Sequence, residues 1–543
     1  MGESACLNPG IDQKVRGKLE KFPGASKPNR LILSLIRLST QGFGASKASH
    51  VQALGGRFSN GIDSRKSLTS AREAVIFLAS CRPPSLDHET TMRLQKFTCA
   101  LLLLCGHLVV AQDKSPVASV TPVTLKSYVE TTDSSFHWEK RESGEFDGVK
   151  WARLHMVSQQ WKGSTWKHVV WIIVPETGKK HSSDAVLYIT GGGWRPEWND
   201  AGPSKLEPSD EVRRMALLAK ASNSTVCIVQ HVPFQPMFGG MVEDEIISKT
   251  FVEYLNTGDG TWPLLLPMVK SAVRAMDAAD QFMQKEHATK LTKFTVFGGS
   301  KRGWTTWLSS AVDPRVDALA PVVIDVLNMR AQMKFQKETW GKYSEQIEDY
   351  SSKGIPDKME TPIGRQLLSL VDPYEYRDVI TQPKLLIFGT NDRYWPVDAC
   401  RLYWSSLQGE KHLLYVPNQG HGIKDMERVL GSIAALHRSR NGGTPLPKMQ
   451  WSFEPQKENV RLKLAVDQKA EHVRGWVAKS KTKDFRESVW TESPMTADGD
   501  AFHFDAPRDG SYMAMFGEVV IDNKPVDAFF STNLQVFEPA VGN

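Results

Sequence analysis

The stretch TVFGGSKRGWTTW at residues 295–307 decides how this chain is read. It begins as a β-branched apolar run, breaks at Gly298 and Gly299, presents Ser300, and continues into residues that can open a helix. A strand, a tight turn holding a serine, and a helix whose first turn faces that serine make a nucleophile elbow, with small flanking residues so that the backbones approach closely. Here Gly298 and Gly303 give G-x-S-x-x-G in place of the usual G-x-S-x-G. Taken alone, the same residues also suit a plain glycine turn.

Two more strand ends extend the pattern. LLIFGTNDRYWPVD ends an apolar run with Asp392 in the turn, and HLLYVPNQGHGI ends the next with His421 between two glycines. Serine, acid, then histidine, each on a loop after a strand, is the order of an α/β-hydrolase triad. The separations of 92 and 29 residues leave room for an inserted cap and the last two sheet strands. Asp392 is preferred to Asp398, which falls beyond Pro396 in the segment that follows. The bland alternatives are a turn former at Asp392 and a surface loop residue at His421.

An oxyanion hole is expected in LYITGGGWRPEW, with backbone N–H groups of Gly192, Gly193 and Trp194 facing a developing alkoxide and the N–H of Lys301 as a second donor. Phosphate binding is disfavoured, since no Lys-Ser/Thr follows the glycines. Arg302 and Trp194 are candidates for substrate binding, whereas the competing reading has Lys301 and Arg302 capping the elbow helix or pairing with Asp325. Trp304 and Trp307 read as core, and Trp198 as part of a stacking wall or of the core. Asp244, Glu245 and Asp259 lack metal-ligand spacing and are expected to face water or cap helices. No metal or organic cofactor is implied.

Outward from the elbow, strands alternate with helices. Apolar runs occur at 168–175, 185–190, 225–232, 293–299 and 383–390, with helical patterns at 209–222 and 262–286 between them. Such alternation predicts a mostly parallel sheet covered by helices on both faces, an α/β-hydrolase domain over 112–447 with a helical cap at about 326–382. From about Lys448 the texture changes to short alternating runs such as VRLKLAV and HVRGWVAKS, which predict a C-terminal antiparallel β-sandwich over 448–543.

Composition narrows the partners. The chain has 543 residues and a formal charge of +6, but residues 1–91 hold 13 Lys/Arg against 7 Asp/Glu and the remainder 54 against 54. No basic patch therefore calls for nucleic acid. MRLQKFTCALLLLCGHLVVAQD has a basic flank, an apolar run from Phe97 to Ala111, and small residues at Val109 and Ala111, the order of a signal peptide over 92–111 cleaved after Ala111. That run is too short to cross a bilayer comfortably, so no integral membrane segment is expected in the mature chain. Residues 1–91 then read as non-native or disordered sequence ahead of a start at Met92, and the product as secreted or periplasmic. Cys227 and Cys400 read as buried thiols.

Long strings also resemble one family. TPVTLKSYVETTDSSFHWE, MVSQQWKGSTWKHVVWIIVP, YLNTGDGTWPLLLPMVKSAVRAMDA, GGSKRGWTTW, VDPYEYRDVITQPKLLIFGTNDRYWPVD, LYVPNQGHG and KTKDFRESVW, in this order, are similar to the PhoPQ-activated pathogenicity-related proteins. The resemblance runs from about Thr121 to Pro539 and implies an α/β-hydrolase, secreted or periplasmic, without fixing a substrate. The G-x-S-x-x-G form also looks like that of glucuronoyl esterases. The expected activity is a serine hydrolase cleaving a peptide or carboxyl ester with Ser300, His421 and Asp392. The alternative is a non-catalytic secreted binding or signalling protein on the same scaffold.

Overall fold

Strand Thr225–Val229 is buried along its whole length, the condition of a strand covered on both faces. Among the described residues it lies fourth from one edge of a 14-stranded sheet. The computed structural model describes residues 123–176, 181–198 and 201–540. The expectations for residues 1–111 lie outside them.

The first strands are β1 (His137–Phe146), β2 (Val149–Trp161) and β3 (Ser164–Pro175), an antiparallel meander. Then come β4 (Asp184–Ile189), β5 (Thr225–Val229), β6 (Lys293–Gly299), β7 (Val316–Val322), β8 (Lys384–Gly389) and β9 (Lys411–Val416). The spatial order is β1-β2-β3-β5-β4-β6-β7-β8-β9, and the six strands from β5 to β9 are parallel. This is the mostly parallel sheet expected of an α/β-hydrolase. β1, β2 and β7 were not among the predicted runs: the charged HWEKRESGEF of β1 and the Asp317 and Pro321 of β7 hide their strand character.

The helices are α1 (Leu125–Glu130), α2 (Asp210–Ser222), α3 (Glu243–Thr257), α4 (Leu265–His287) and α5 (Lys301–Val312). Between β7 and β8 lie α6 (Met329–Trp340), α7 (Glu348–Ser351), α8 (Ile355–Lys358) and α9 (Pro362–Val371), and α10 (Met426–Arg440) follows β9. Ser209 caps α2 by accepting the Val212 N–H, with Asp210 and Glu211 in the first turn where the helix dipole favours anions. α2 and α10 pack on one face of the sheet, against Val186, Ile228, Ala320 and Ile387. α4 and α5 pack on the other, against Leu187, Cys227, Val296 and Leu386. Alternate residues of one strand feed opposite cores, as a period of two requires.

The tail strands are β10 (Met449–Pro455), β11 (Asn459–Val466), β12 (His472–Ser480), β13 (Thr491–Pro494), β14 (Thr496–Asp498), β15 (Ala501–Pro507), β16 (Tyr512–Ile521), β17 (Ala528–Ser531) and β18 (Gln535–Phe537). They pair antiparallel, as expected. One sheet, β10-β11-β15-β14, is separate, but β17, β16, β12 and β13 continue the large sheet beyond β9 through the Ser531–Leu413 pair. Leu462, Leu464, Met513 and Met515 share one apolar cluster between the two sheets. Edge-to-edge pairing leaves no local mark in sequence, so this continuity could not be read there.

Candidate active site

The loops after β4, β6, β8 and β9 emerge at the same edge of the parallel sheet, where open α/β sheets bind ligands. Ser300 follows β6 directly, at φ 57° and ψ −127°, a region that costs a non-glycine residue about 1–3 kcal/mol. The turn is held by its own backbone: the Ser300 N–H donates to the Val322 carbonyl at 2.8 Å, and its carbonyl accepts from Trp304 N–H at 3.0 Å. Two glycines are required by space. A Cβ on Gly303 would stand 2.6 Å from Ile324 Cγ2, and one on Gly298 would stand 2.8 Å from the Arg302 carbonyl oxygen.

Ser300 Oγ lies 2.8 Å from His421 Nε2, and His421 Nδ1 lies 2.8 Å from Asp392 Oδ2. A carboxylate accepts only, so the Nδ1–H donates to Asp392 and Nε2 is left to accept from the serine hydroxyl. Asp392 Oδ1 accepts the Tyr394 N–H at 2.9 Å, which fixes the carboxylate plane. The Asp398 carboxylate instead pairs with Arg401 at 3.1 Å. The three residues singled out in the sequence are therefore hydrogen-bonded in series, and Asp398 is not among them.

The other candidates divide. Lys301 opens α5, so its N–H has no carbonyl to meet within the helix. The loop after β4 runs beside the elbow, and Gly192 there adopts φ 105°. The expectation for Trp194 is corrected on both counts: its N–H donates to the Gln235 carbonyl at 2.6 Å, and its ring is buried against His155, Trp198, His231 and Phe234. The N–H is already paired and the ring is enclosed.

Arg302 is corrected as well. Its Nη1 and Nη2 bond Glu243 at 2.8 and 2.6 Å, and its Nε donates to the Val232 carbonyl at 2.5 Å. A substrate carboxylate would have to displace Glu243 from a part-buried, bidentate pair. Lys301 Nζ lies 2.9 Å from both Glu243 and Asp244. Neither cation pairs with Asp325. Burial pushes the Glu243 carboxyl up, but the hydrogen bonds and charge of Arg302, with the charge of Lys301, outweigh it and hold the group at about 2.

Sequence reading missed Glu243 and Tyr394. The Tyr394 ring lies 4.2 Å from the His421 ring at 34°, and its hydroxyl donates to Asp244 Oδ2 at 3.4 Å. Tyr350, within α7, donates to the other Asp244 oxygen at 2.8 Å. Asp244, expected to face water or cap a helix, thus joins the helical segment between β7 and β8, the turn at Ser300 and the loop after β8. The only advance signal was the position of Tyr394 two residues after Asp392. Trp304 and Trp307 are buried, as expected, and Trp304 Nε1 donates to the Val371 carbonyl.

Among the described residues no group of three or more His, Cys, Asp or Glu is placed to hold a metal ion, and no helix is long and apolar enough to cross a membrane.

Residues 125–486 match the sequence profile of the PhoPQ-activated pathogenicity-related proteins. Autocrine proliferation repressor protein A of Dictyostelium discoideum is 30% identical over 353 residues, 62% of this chain and 69% of that protein. Dipeptidyl peptidase family member 6 of Caenorhabditis elegans is 23% identical over 211 residues, 38% of this chain and only 26% of that protein. Among solved structures, an acetyl xylan esterase from Paenibacillus sp. R4 aligns with a TM-score of 0.41 at 13% identity, covering 59% of this chain and 92% of the esterase.

Proposed function

This chain belongs to the PhoPQ-activated pathogenicity-related protein family, and from that premise we propose that it is a serine hydrolase cleaving a carboxyl ester or a peptide bond. The observation that carries the reading is the unbroken series Ser300 Oγ, His421, Asp392, with both links at 2.8 Å. Ser300 Oγ attacks the substrate carbonyl while His421 Nε2 takes the hydroxyl proton, and the proton then passes to the leaving group as the acyl-enzyme forms. Water, deprotonated by His421, releases the acid and restores Ser300. Asp392 holds the Nδ1–H and stabilises the imidazolium.

The oxyanion would be met by the Lys301 N–H at the helix start and by the N–H of Gly192 or Gly193. The strained backbone of Ser300 supports this reading, because such strain persists where the surrounding structure imposes it and clusters at functional sites. The basic, apolar and small-residue order of 92–111 supports export. Turnover of nitrophenyl acyl esters and aminoacyl anilides by the purified protein tests the activity. A rate lost on Ser300→Ala supports it, and a rate retained by that variant refutes it.

The name of the Dictyostelium relative favours a second reading, a secreted regulator that uses the scaffold without turnover. Folded protein inert toward both substrate classes and toward serine-directed probes would leave that reading ahead.

A further inference from the structure

We propose that residues 481–490, the KTKDFRESVW segment joining β12 to β13, form a positioning element that sets the acid and histidine loops through Asn391 and Asn418. The proposal rests on the reading of Ser300 as a nucleophile and gives the C-terminal strands a part in the same chemistry.

Asn391 immediately precedes Asp392. Its Nδ2 donates to the Ser488 carbonyl at 2.7 Å and lies 3.2 Å from the Arg486 carbonyl, so both of its N–H groups have acceptors in the segment. Asn391 Oδ1 accepts from Thr390 Oγ1 at 2.8 Å, and Thr390 Oγ1 in turn accepts the Asn418 N–H at 2.9 Å. The Asn391 N–H donates to the Gln419 carbonyl at 2.9 Å. Asn418 stands three residues before His421 in the left-handed region, at φ 57°. Its side chain makes a reciprocal pair with Trp490: Nδ2 donates to the Trp490 carbonyl at 2.9 Å, and Oδ1 accepts the Trp490 N–H at 2.8 Å.

The segment that receives these bonds is itself fixed. Phe485 and Trp490 are each 2% exposed, and Trp490 packs on Phe516 of β16 with ring centroids 5.4 Å apart. Outward, Arg486 reaches Glu345 of the cap at 3.0 Å. Arg393, the residue after Asp392, pairs with the same Glu345 at 2.7 Å and with Glu487. One anchored segment therefore holds the acid loop, the histidine loop and the cap.

Loops at a sheet edge are mobile unless tied down, and a displacement of about 1 Å in a reacting geometry can cost on the order of 10² in rate. Bonds from Asn391 and Asn418 to a buried anchor remove that freedom on both sides of the Asp392–His421 contact. A role confined to stability would lower the melting temperature and leave kcat of the folded fraction unchanged.

The test uses the full chain with Asn391→Asp and Asn418→Asp, which keep the side-chain size but set a carboxylate against main-chain carbonyls. A fluorophosphonate labelling rate at Ser300 and kcat and KM on an activated ester are measured well below each variant's melting temperature. The expected result is a fall of roughly 10–100-fold in labelling rate and kcat, with KM little changed. Labelling rate and kcat equal to wild type in the folded variants, or a loss confined to KM, would overturn the proposal. Should either variant fail to fold, Asn391→Ala or Asn418→Ala carries the same measurement. A wild-type protein that is not labelled at Ser300 overturns the hydrolase reading and this proposal together, whereas a labelled wild type with unaffected variants overturns this proposal alone.

Discussion

Gly191 and Arg302 share one space: a Cβ on Gly191 would stand 2.3 Å from Arg302 Nη2 and 2.6 Å from its Cζ. The usual elbow has glycine two residues after the nucleophile, and here that position is Arg302. The room its guanidinium needs is supplied across the site by a glycine of the loop after β4. Gly191→Ala should therefore destabilise the fold and lower turnover, because Glu243 and the Val232 carbonyl hold the guanidinium in place. With Arg302→Ala added, the loss should fall short of the sum by about 0.5 kcal/mol or more. Urea unfolding of the four proteins of the cycle measures this, and strict additivity would count against it.

Glu243→Gln leaves the Arg302 guanidinium buried without its counter-charge. The expected loss of stability is about 2–4 kcal/mol, toward the lower part of the range for buried pairs because the Glu243 side chain is 33% exposed. Denaturant midpoints check it, and a variant as stable as wild type would show that the pair contributes nothing net.

Asp392→Asn should reduce turnover on the order of 10⁴-fold, since an amide in place of the carboxylate favours the wrong imidazole tautomer. Asp398→Asn, which removes the pairing with Arg401, should change turnover little. The kcat of the two variants on one ester separates the roles, and equal losses would contradict the assignment.

The sequence carried much of this site because strand ends are legible. Apolar runs such as TVCIV and KLLIFG mark strands buried on both faces, and a polar residue just past such a run falls at the sheet edge whatever lies between. Ser300, Asp392 and His421 were found in that way. Long-range pairing was not legible: Glu243 and Arg302 are 59 residues apart, and nothing local to either says that they meet. Trp194 was misread for the same reason, since the carbonyl that takes its N–H belongs to Gln235, in a different loop. The family resemblance covered the segment 481–490 but said nothing of what it does; only the contacts of Asn391 and Asn418 give it a role.

Burial pushes the Asp325 carboxyl up to about 8, with the charges of Asp392 and Asp398 adding and the Tyr403 hydroxyl partly offsetting. The folded chain thus keeps a proton that the unfolded chain gives up near its ordinary value of 3.8. Stability from this group is full below about pH 4 and declines as pH rises to about 8, by at most about 1.4 kcal/mol per pH unit. Asp325→Asn should flatten that decline. Unfolding free energies at pH 5 and pH 8 measure it, and an unchanged slope in the variant would assign the decline to other groups.

The most direct measurement of the nucleophile is peptide mapping after treatment with a fluorophosphonate, on wild type, Ser300→Ala and His421→Ala. The expected result is one adduct, on Ser300, absent from Ser300→Ala and formed more slowly on the order of 10⁴-fold in His421→Ala, since the serine is activated only while its proton has an acceptor. No adduct on Ser300 of the folded wild type, or one formed as fast without His421, would contradict the account.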